Sequence, residues 1–161
     1  MPQDIKFEDY SVHVKNKIAD VVKAWLIETS HEICSQAQRN SKPVDTGQLK
    51  ASWVEQISTA GGEYTAKVGS PLENAIWEEF GTGHYALEGN GRKTPWYVPV
   101  DGYTGRRKPT YFGKVVVVTF KDGKKFYKTN GKKPKRALYK AFKTVEPKAQ
   151  RNLEKKLKEL G

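Results

Sequence analysis

Two groups of residues in this 161-residue chain have side chains or spacing typical of metal or cofactor sites. His31 and Cys34 are three residues apart on a predicted helix, but two ligands do not complete a zinc site. The segment Gly81-x-Gly83-x-x-Ala86 matches a dinucleotide-binding pattern, yet it ends a predicted helix, whereas that pattern must follow a strand and open a helix. The sequence also has no phosphate-binding loop and no nucleophile elbow. We therefore expect no catalysis, no cofactor and no bound metal.

A pair of consecutive carboxylates, Glu78 and Glu79, comes at the end of a short predicted helix, residues 75–80. Consecutive side chains diverge by about 100° around a helix, so the two carboxylates are not placed as an acid–base pair. They lie in the last helical turn, where the helix dipole disfavours negative charge by about 0.3–1 kcal/mol at an exposed site. We therefore expect a compensating group outside the helix.

The same helix is predicted to show a mixed apolar and acidic face. Ile76, Glu79 and Phe80 have the spacing of residues on one helical face. Gly81 is predicted to end the helix in the left-handed conformation, and Gly83 lets the chain turn again. Large apolar and acidic residues beside a two-glycine turn indicate a fixed surface that is presented to a partner.

Charge is distributed unevenly along the chain. The net charge is +11, but residues 1–80 carry 8 Lys/Arg and 12 Asp/Glu, a net −4, whereas residues 81–161 carry 21 and 6, a net +15. A basic half is typical of proteins that bind nucleic acid, an anionic surface or an acidic neighbouring subunit. An acidic half in the same chain also favours head-to-tail self-association.

The length of the chain predicts one domain over residues 1–161. No apolar run approaches the ~18 residues that a membrane span needs, and the N-terminus has no apolar region of a signal peptide. We therefore expect no membrane partner and a location in a cytosol. Cys34 is the only cysteine, so a disulfide within one chain is impossible.

In the first half of the chain, the pattern predicts a long helix followed by a hairpin. Apolar residues from Val14 to Ile33 recur at steps of three and four, which predicts one helix over residues 11–39. Asp45 is predicted to cap a short helical turn after it. Residues 52–58 and 64–69 alternate as two strands around Gly61-Gly62. Residues 5–9 are too short to assign, although they are compatible with the start of a strand.

In the second half, a loop is predicted to precede a hairpin and a helix. Residues 86–110 show no periodicity, are rich in glycine and proline, and are basic, so we expect a long functional loop. Val115–Phe120 is apolar on both faces, which predicts a central strand or one covered by a neighbouring subunit. Asp122-Gly123 predicts a type I′ turn before a return strand, residues 125–129. Residues 136–161 form an amphipathic helix in which Pro147 predicts a kink or a restart.

Three segments of the sequence, in this order, resemble one protein family. They are PVDTGQLKAS (43–52), YTAKVGS (64–70) leading into WEEFGTG (77–83), and KPKRAL (133–138) at the start of the last helix. The chain is similar to the neck proteins of long-tailed bacteriophages and prophages, which are also called head–tail joining or tail-completion proteins. The resemblance covers most of the chain, but residues 86–130 are longer than the family pattern.

The resemblance implies an α+β subunit, in which a small antiparallel sheet of hairpins packs against a long N-terminal helix, with a C-terminal helix. It implies a non-enzymatic virion protein that is assembled in the bacterial host cytoplasm. Its partners would be other copies of itself in a ring, the head connector or head-closure protein, and the tail terminator or tail tube protein. Genomic DNA would pass through the lumen of that ring.

The motifs of the resemblance indicate candidate contact residues. These motifs are either turns that the fold requires or turns that also contact another subunit or partner. Their candidate contact residues are Val44, Asp45, Thr46, Gly47, Trp77, Glu78, Glu79, Phe80, Gly81, Thr82 and Gly83. A second candidate set is the basic loop, with Arg92, Lys93, Arg106, Arg107 and Lys108, for which we considered the Glu78–Glu79 surface of a neighbouring subunit as the acidic counterpart.

The alternative interpretation is a nucleic-acid-binding protein without catalysis. Tryptophan and tyrosine side chains are interleaved with the lysines and arginines of the basic half, which suits phosphate contacts and base stacking. The sequence contains no known nucleic-acid-binding motif. This alternative and the neck interpretation stay open at the level of the sequence.

Overall fold

The structure, a computed structural model, describes residues 10–41 and 47–160. The possible strand at residues 5–9 and the cap predicted at Asp45 lie outside these ranges. The helices are α1 (Ser11–Asn40), α2 (Gln48–Ala51), α3 (Glu73–Phe80) and α4 (Ala137–Lys158). The strands are β1 (Val54–Ala60), β2 (Glu63–Gly69), β3 (Trp96–Pro99), β4 (Val116–Thr119) and β5 (Lys125–Thr129). This content confirms the predicted α+β class.

The two long helices, α1 and α4, pack antiparallel and form the centre of the fold. Asn40 Nδ2 donates to the carbonyl of Ala137 at 3.1 Å, so the end of α1 lies beside the start of α4. Further along, Trp25 Nε1 donates to the carbonyl of Ala149 at 2.8 Å. Ala37 and Ala141 are fully buried where the helices cross. Small side chains at this crossing let the two backbones approach closely, which leaves little room for a larger residue.

Enlarging Ala141 is expected to destabilise this crossing. Ala141→Leu should lower the free energy of unfolding by about 2 kcal/mol, because it forces extra methylenes into a packed interface. Urea titration of the variant and of Ala24→Leu, which enlarges an exposed position on α1, measures the difference. Equal midpoints for the two variants would show that the crossing is loosely packed.

Helix α4 is one uninterrupted helix through Pro147. Of the two outcomes predicted at this residue, a kink or a restart, the restart is therefore wrong. Ala141 and Val145 before the proline and Ala149 after it are all buried. Packing of the same helical face on both sides of Pro147 outweighs the one backbone hydrogen bond that the proline removes.

The first sheet is the predicted hairpin, although its first strand begins two residues later than predicted. β1 and β2 pair antiparallel, with Glu55 opposite Val68 and Ile57 opposite Ala66, and both strands pack against α1. Ser52 belongs to the turn that ends α2. The Trp53 side chain is buried, and its Nε1 donates to Ser41 Oγ at 2.7 Å.

The second sheet has the order β3–β5–β4 and corrects two predictions. The segment 86–110 is not entirely a loop, because β3 lies within it and pairs antiparallel with β5. The strand at Val115–Phe120 is not central, because β4 is at the edge of the sheet and β5 is in the middle. The second expectation for this strand, cover by a neighbouring subunit, stays a prediction.

The turn between β4 and β5 is a three-residue loop and not the predicted type I′ turn. A type I′ turn needs positive φ at both central residues, but only Gly123 has it, at +80°. The amide of Gly123 donates to the carbonyl of Phe120, and the amide of Phe120 donates to the carbonyl of Lys124. This is the pattern of a turn closed by a left-handed glycine.

Candidate interaction cleft

Helix α3 packs with its acidic residues inward and its large apolar residues outward. Ala75, Glu78 and Glu79 are buried, whereas Ile76 is 61% exposed, Trp77 48% and Phe80 46%. The predicted shared face of Ile76, Glu79 and Phe80 is therefore wrong, because Glu79 turns inward. The inward face can be acidic because polar groups elsewhere in the chain form hydrogen bonds or ion pairs with both carboxylates.

Glu79 caps the N-terminus of α4. Its two carboxylate oxygens accept the backbone amides of Leu138 at 3.0 Å and Tyr139 at 2.8 Å, the second and third residues of that helix. A residue at the N-cap position often supplies this contact, but here the N-cap residue is Arg136, in the left-handed conformation and without a side-chain cap. The negative charge that is unfavourable at the end of α3 is thus favourable at the start of α4.

Glu78 is held by two lysines of the same chain. Lys135 Nζ lies 2.7 Å from Glu78 Oε2, and Lys132 Nζ pairs with Oε1. The carbonyl of Glu78 also accepts the amide of Lys135 at 2.6 Å. Burial lowers the pKa of Lys132, with Lys135 adding to the effect, and burial and then the charge of Arg107 lower the pKa of Lys135. The compensating group predicted for the acidic pair is thus present within this chain, and contact of this surface with the basic loop of a neighbouring subunit stays a prediction.

Gly81 ends α3 in a space that has no room for a side chain. Its φ is +74°, positive as expected of a glycine that ends a helix, but its ψ of 177° lies outside the left-handed helical region that was predicted. A Cβ atom here would lie 2.7 Å from the carbonyl oxygen of Tyr85 and 2.8 Å from Pro134 Cδ. After the turn, the amide of Thr82 donates to the carbonyl of Lys132 at 2.9 Å, and the amide of Lys132 donates to Thr82 Oγ1 at 3.0 Å. The WEEFGTG segment is thereby joined along its length to residues 130–139.

A cleft of about 380 Å³ lies where the motif segments meet the basic loop. Of the candidate contact residues, it brings together Gly47, Trp77, Glu78, Thr82, Arg106 and Arg107. Its other charged residues are Lys50, Lys132 and Lys135. Five cations thus surround one carboxylate, and that carboxylate is already paired. The cleft can attract an anionic group, and it has the exposed Trp77 ring at its rim.

The other candidate residues either do not line this cleft or are outside the described residues. Val44, Asp45 and Thr46 are outside the described residues, and Phe80, Gly81 and Gly83 do not line the cleft. Arg92 bonds Thr94 Oγ1 at 3.0 Å on the surface, and Lys93 beside it is exposed. Lys108 lines a second cavity of about 520 Å³, which shares Arg107, Lys132 and Lys135 with the first.

Sequence reasoning did not assign Lys132 and Lys135 to the site. The signal that pointed to them was the misplaced acidic pair, which required a partner but did not identify it. Tyr103 was also missed. Its hydroxyl donates to the carbonyl of Arg107 at 2.5 Å and its ring packs edge-on against Tyr127, so it holds the loop that carries Arg106 and Arg107 against the second sheet.

Within the described residues, no group of three or more His, Cys, Asp or Glu side chains is arranged to hold a metal ion. The search for membrane-spanning segments found no helix of sufficient length and apolarity in residues 10–41 and 47–160.

Comparison with protein families gives a match to residues 5–81. Residues 5–81 match the family model described as "Bacteriophage HK97-gp10, putative tail-component". These residues are similar to that family, and we refer to residues 5–81 as the HK97-gp10-like segment. The matched residues include the VDTG motif and the WEEFG part of the second motif, so the predicted likeness to structural proteins of tailed phages is confirmed there. No curated protein matches the chain. No solved structure matches it either.

Proposed function

We propose that this protein is a structural virion protein of a tailed phage or prophage that forms an oligomeric ring at the head–tail junction. The ring would join the head connector or head-closure protein to the tail terminator or tail tube protein, and genomic DNA would pass through its lumen. The protein would act by binding other proteins, without catalysis. The HK97-gp10-like segment supports a structural role in the phage tail region.

The observation that carries the proposal is the outward face of α3. Ile76, Trp77 and Phe80 expose large apolar surfaces on a helix whose other face is fixed by Glu78 and Glu79. Contiguous apolar surface of this kind is typical of protein–protein contacts. Because α3 is anchored through its acidic face, its apolar face is presented with a defined orientation, which lowers the ordering cost of binding.

A matched pair of substitutions tests this face. Ile76→Glu should weaken self-association or addition to tails at least tenfold, about 1.4 kcal/mol, because a charge would be buried at the contact. Ile27→Glu, at an exposed apolar position on α1, should leave both unchanged. Light scattering with size-exclusion chromatography, electron microscopy of rings, and addition to tails in extract are the measurements.

Two results would contradict this proposal. One is a wild-type protein that stays monomeric and also fails to add to tails, which removes the ring and the neck role together. A wild-type protein that is monomeric by itself does not contradict the proposal, because a neck protein can assemble on its neighbour. The other is an Ile76→Glu variant that assembles like wild type, which removes the α3 face as the contact.

The cleft gives the alternative, a nucleic-acid-binding role, a specific observation. Arg106, Arg107, Lys132 and Lys135 line it, beside the ring of Tyr103. The test is to change Arg106, Arg107 and Lys108 to Glu and to measure assembly and DNA affinity separately. Loss of a strongly salt-dependent DNA affinity with intact assembly favours the alternative, whereas loss of assembly favours a protein contact at the loop.

A further inference from the structure

The outer edge of β4 is unpaired among the described residues. The amide of Phe120 bonds the carbonyl of Lys124, so residue 120 belongs to the set whose backbone groups face β5. Because these sets alternate in an antiparallel ladder, the backbone groups of Val116 and Val118 face β5, and those of Val115, Val117 and Thr119 face outward. Three amides and three carbonyls are thus available to another strand.

This edge lacks two of the features that normally prevent strand addition, namely proline and charge within the strand. Residues 115–120 include no proline and no charge, and the exposed fractions of the Val115 and Val117 side chains are 51% and 48%. The opposite edge of the same sheet differs. The amide of Val100 bonds the carbonyl of Lys125, so residues 97 and 99 of β3 face outward, and Pro99 has no amide to donate. Only the β4 edge is suited to accept a strand.

Charge decides which strand fits. The β4–β5 hairpin and its flanks are basic, with Lys114, Lys121, Lys124, Lys125 and Lys128 against Asp122 alone. Antiparallel pairing of residues 115–120 with their copies in a second subunit would place Lys114 of each copy opposite Lys121 of the other, which is unfavourable. Strand β1 carries Glu55, whose Oε1 lies 3.1 Å from His31 Nδ1 of α1, and it carries no cation. It lies in the half of the chain with net charge −4, and among the described residues it pairs on one side only, with β2.

We propose that β4 of one subunit pairs with β1 of a second copy, which extends the three-stranded sheet across the subunit boundary. The contact joins two different surfaces, so it can repeat from subunit to subunit and close into a ring. Main-chain hydrogen bonds would hold the strands together, as in other cases of strand addition, and opposite charges would select the partner. This inference rests on the proposed self-assembly.

Hydrogen exchange of the wild-type protein tests the pairing directly. In dilute protein the amides of Val117 and Thr119 should exchange fast, and those of Val116 and Val118 slowly. Under conditions in which the protein is assembled, exchange of Val117 and Thr119 should slow at least tenfold. Assembly that leaves these two amides fast would overturn the inference but not the ring. Protection that appears only when another virion protein is added would also overturn it.

Two substitutions at one residue separate backbone pairing from side-chain packing. Val117→Pro removes an outward amide and leaves the ladder to β5, so it should weaken association at least tenfold. Val117→Ala keeps the amide and should change association less than threefold. Equal losses would show that the side chain makes the contact. The exchange measurement decides the question if the proline variant does not fold.

Cross-linking identifies the partner strand. Val117→Cys mixed with Ser58→Cys, a substitution at an exposed position of β1, should give dimers with a short bismaleimide, whereas Val117→Cys alone should not. The native Cys34 is buried and serves as the unreactive background. Dimers from Val117→Cys alone would indicate β4–β4 pairing and overturn the assignment. Absence of any oligomer and of tail addition would remove the proposed function as well.

Discussion

Gly81→Ala is expected to lower the free energy of unfolding by about 3–5 kcal/mol. The backbone conformation itself, with φ +74° and ψ 177°, is essentially restricted to glycine and costs an alanine about 1–3 kcal/mol. The added Cβ would also lie 2.7 Å from the carbonyl oxygen of Tyr85 and 2.8 Å from Pro134 Cδ, so backbone segments on two sides must move. Overpacking of this kind adds about 1–3 kcal/mol.

Gly89→Ala is the matched control for this substitution. Gly89 has φ +71°, close to the +74° of Gly81, but a Cβ there has no neighbour within 4 Å. Gly89→Ala should therefore lower the free energy of unfolding only by the cost of placing an alanine at positive φ, about 1–2 kcal/mol. Urea titrations of the two variants isolate the effect of space from the effect of φ. Equal losses would show that the turn relaxes around a side chain at Gly81.

Glu79→Ala is expected to lower the free energy of unfolding by about 3 kcal/mol. The substitution leaves the amides of Leu138 and Tyr139 without their acceptor, and because both hydrogen bonds are partly buried, each unpaired amide costs about 1 kcal/mol, the low end of the range for buried groups. It also removes a negative charge from the N-terminus of α4, which is worth about 0.3–1 kcal/mol or more when partly buried.

Two further variants make the Glu79 result specific. Glu154→Ala, at an exposed position of α4, should change stability by less than about 0.5 kcal/mol. Glu79→Gln keeps one acceptor oxygen and should lie between Ala and wild type. Thermal and urea unfolding give the comparison, and amide exchange at Leu138 and Tyr139 reports the cap itself. A Gln variant as stable as wild type would show that charge contributes nothing to the cap.

Together, these contacts show how helix α3 and its two-glycine turn are attached to the start of α4 and the residues before it. Glu79 fixes the start of α4, and Glu78 binds Lys132 and Lys135. The motif is therefore a structural joint between the HK97-gp10-like segment and the basic half of the chain. Trp77 and its apolar neighbours on α3 remain exposed, and we propose that a partner covers them.

The sequence by itself determined the elements whose signals are local. Apolar residues at helical spacing predicted α1, alternation predicted the β1–β2 hairpin, and Gly81 marked the end of α3. Each of these signals acts through the backbone conformation of a few neighbouring residues, so it does not depend on what packs against them. The uneven charge of the two halves is also a property of composition alone.

Only the tertiary structure decided which face of each element is covered. The pattern placed Phe80 with Glu79, but the cap on α4 and the lysine pairs draw the acidic face of α3 inward. The valines of β4 indicated a central strand, yet the chain places β5 in the middle. Pro147 predicted a kink or a restart, and the restart is wrong because α4, packed on α1, continues through the proline. In each case the deciding partner is distant in sequence, and local spacing shows that a partner is needed without identifying it.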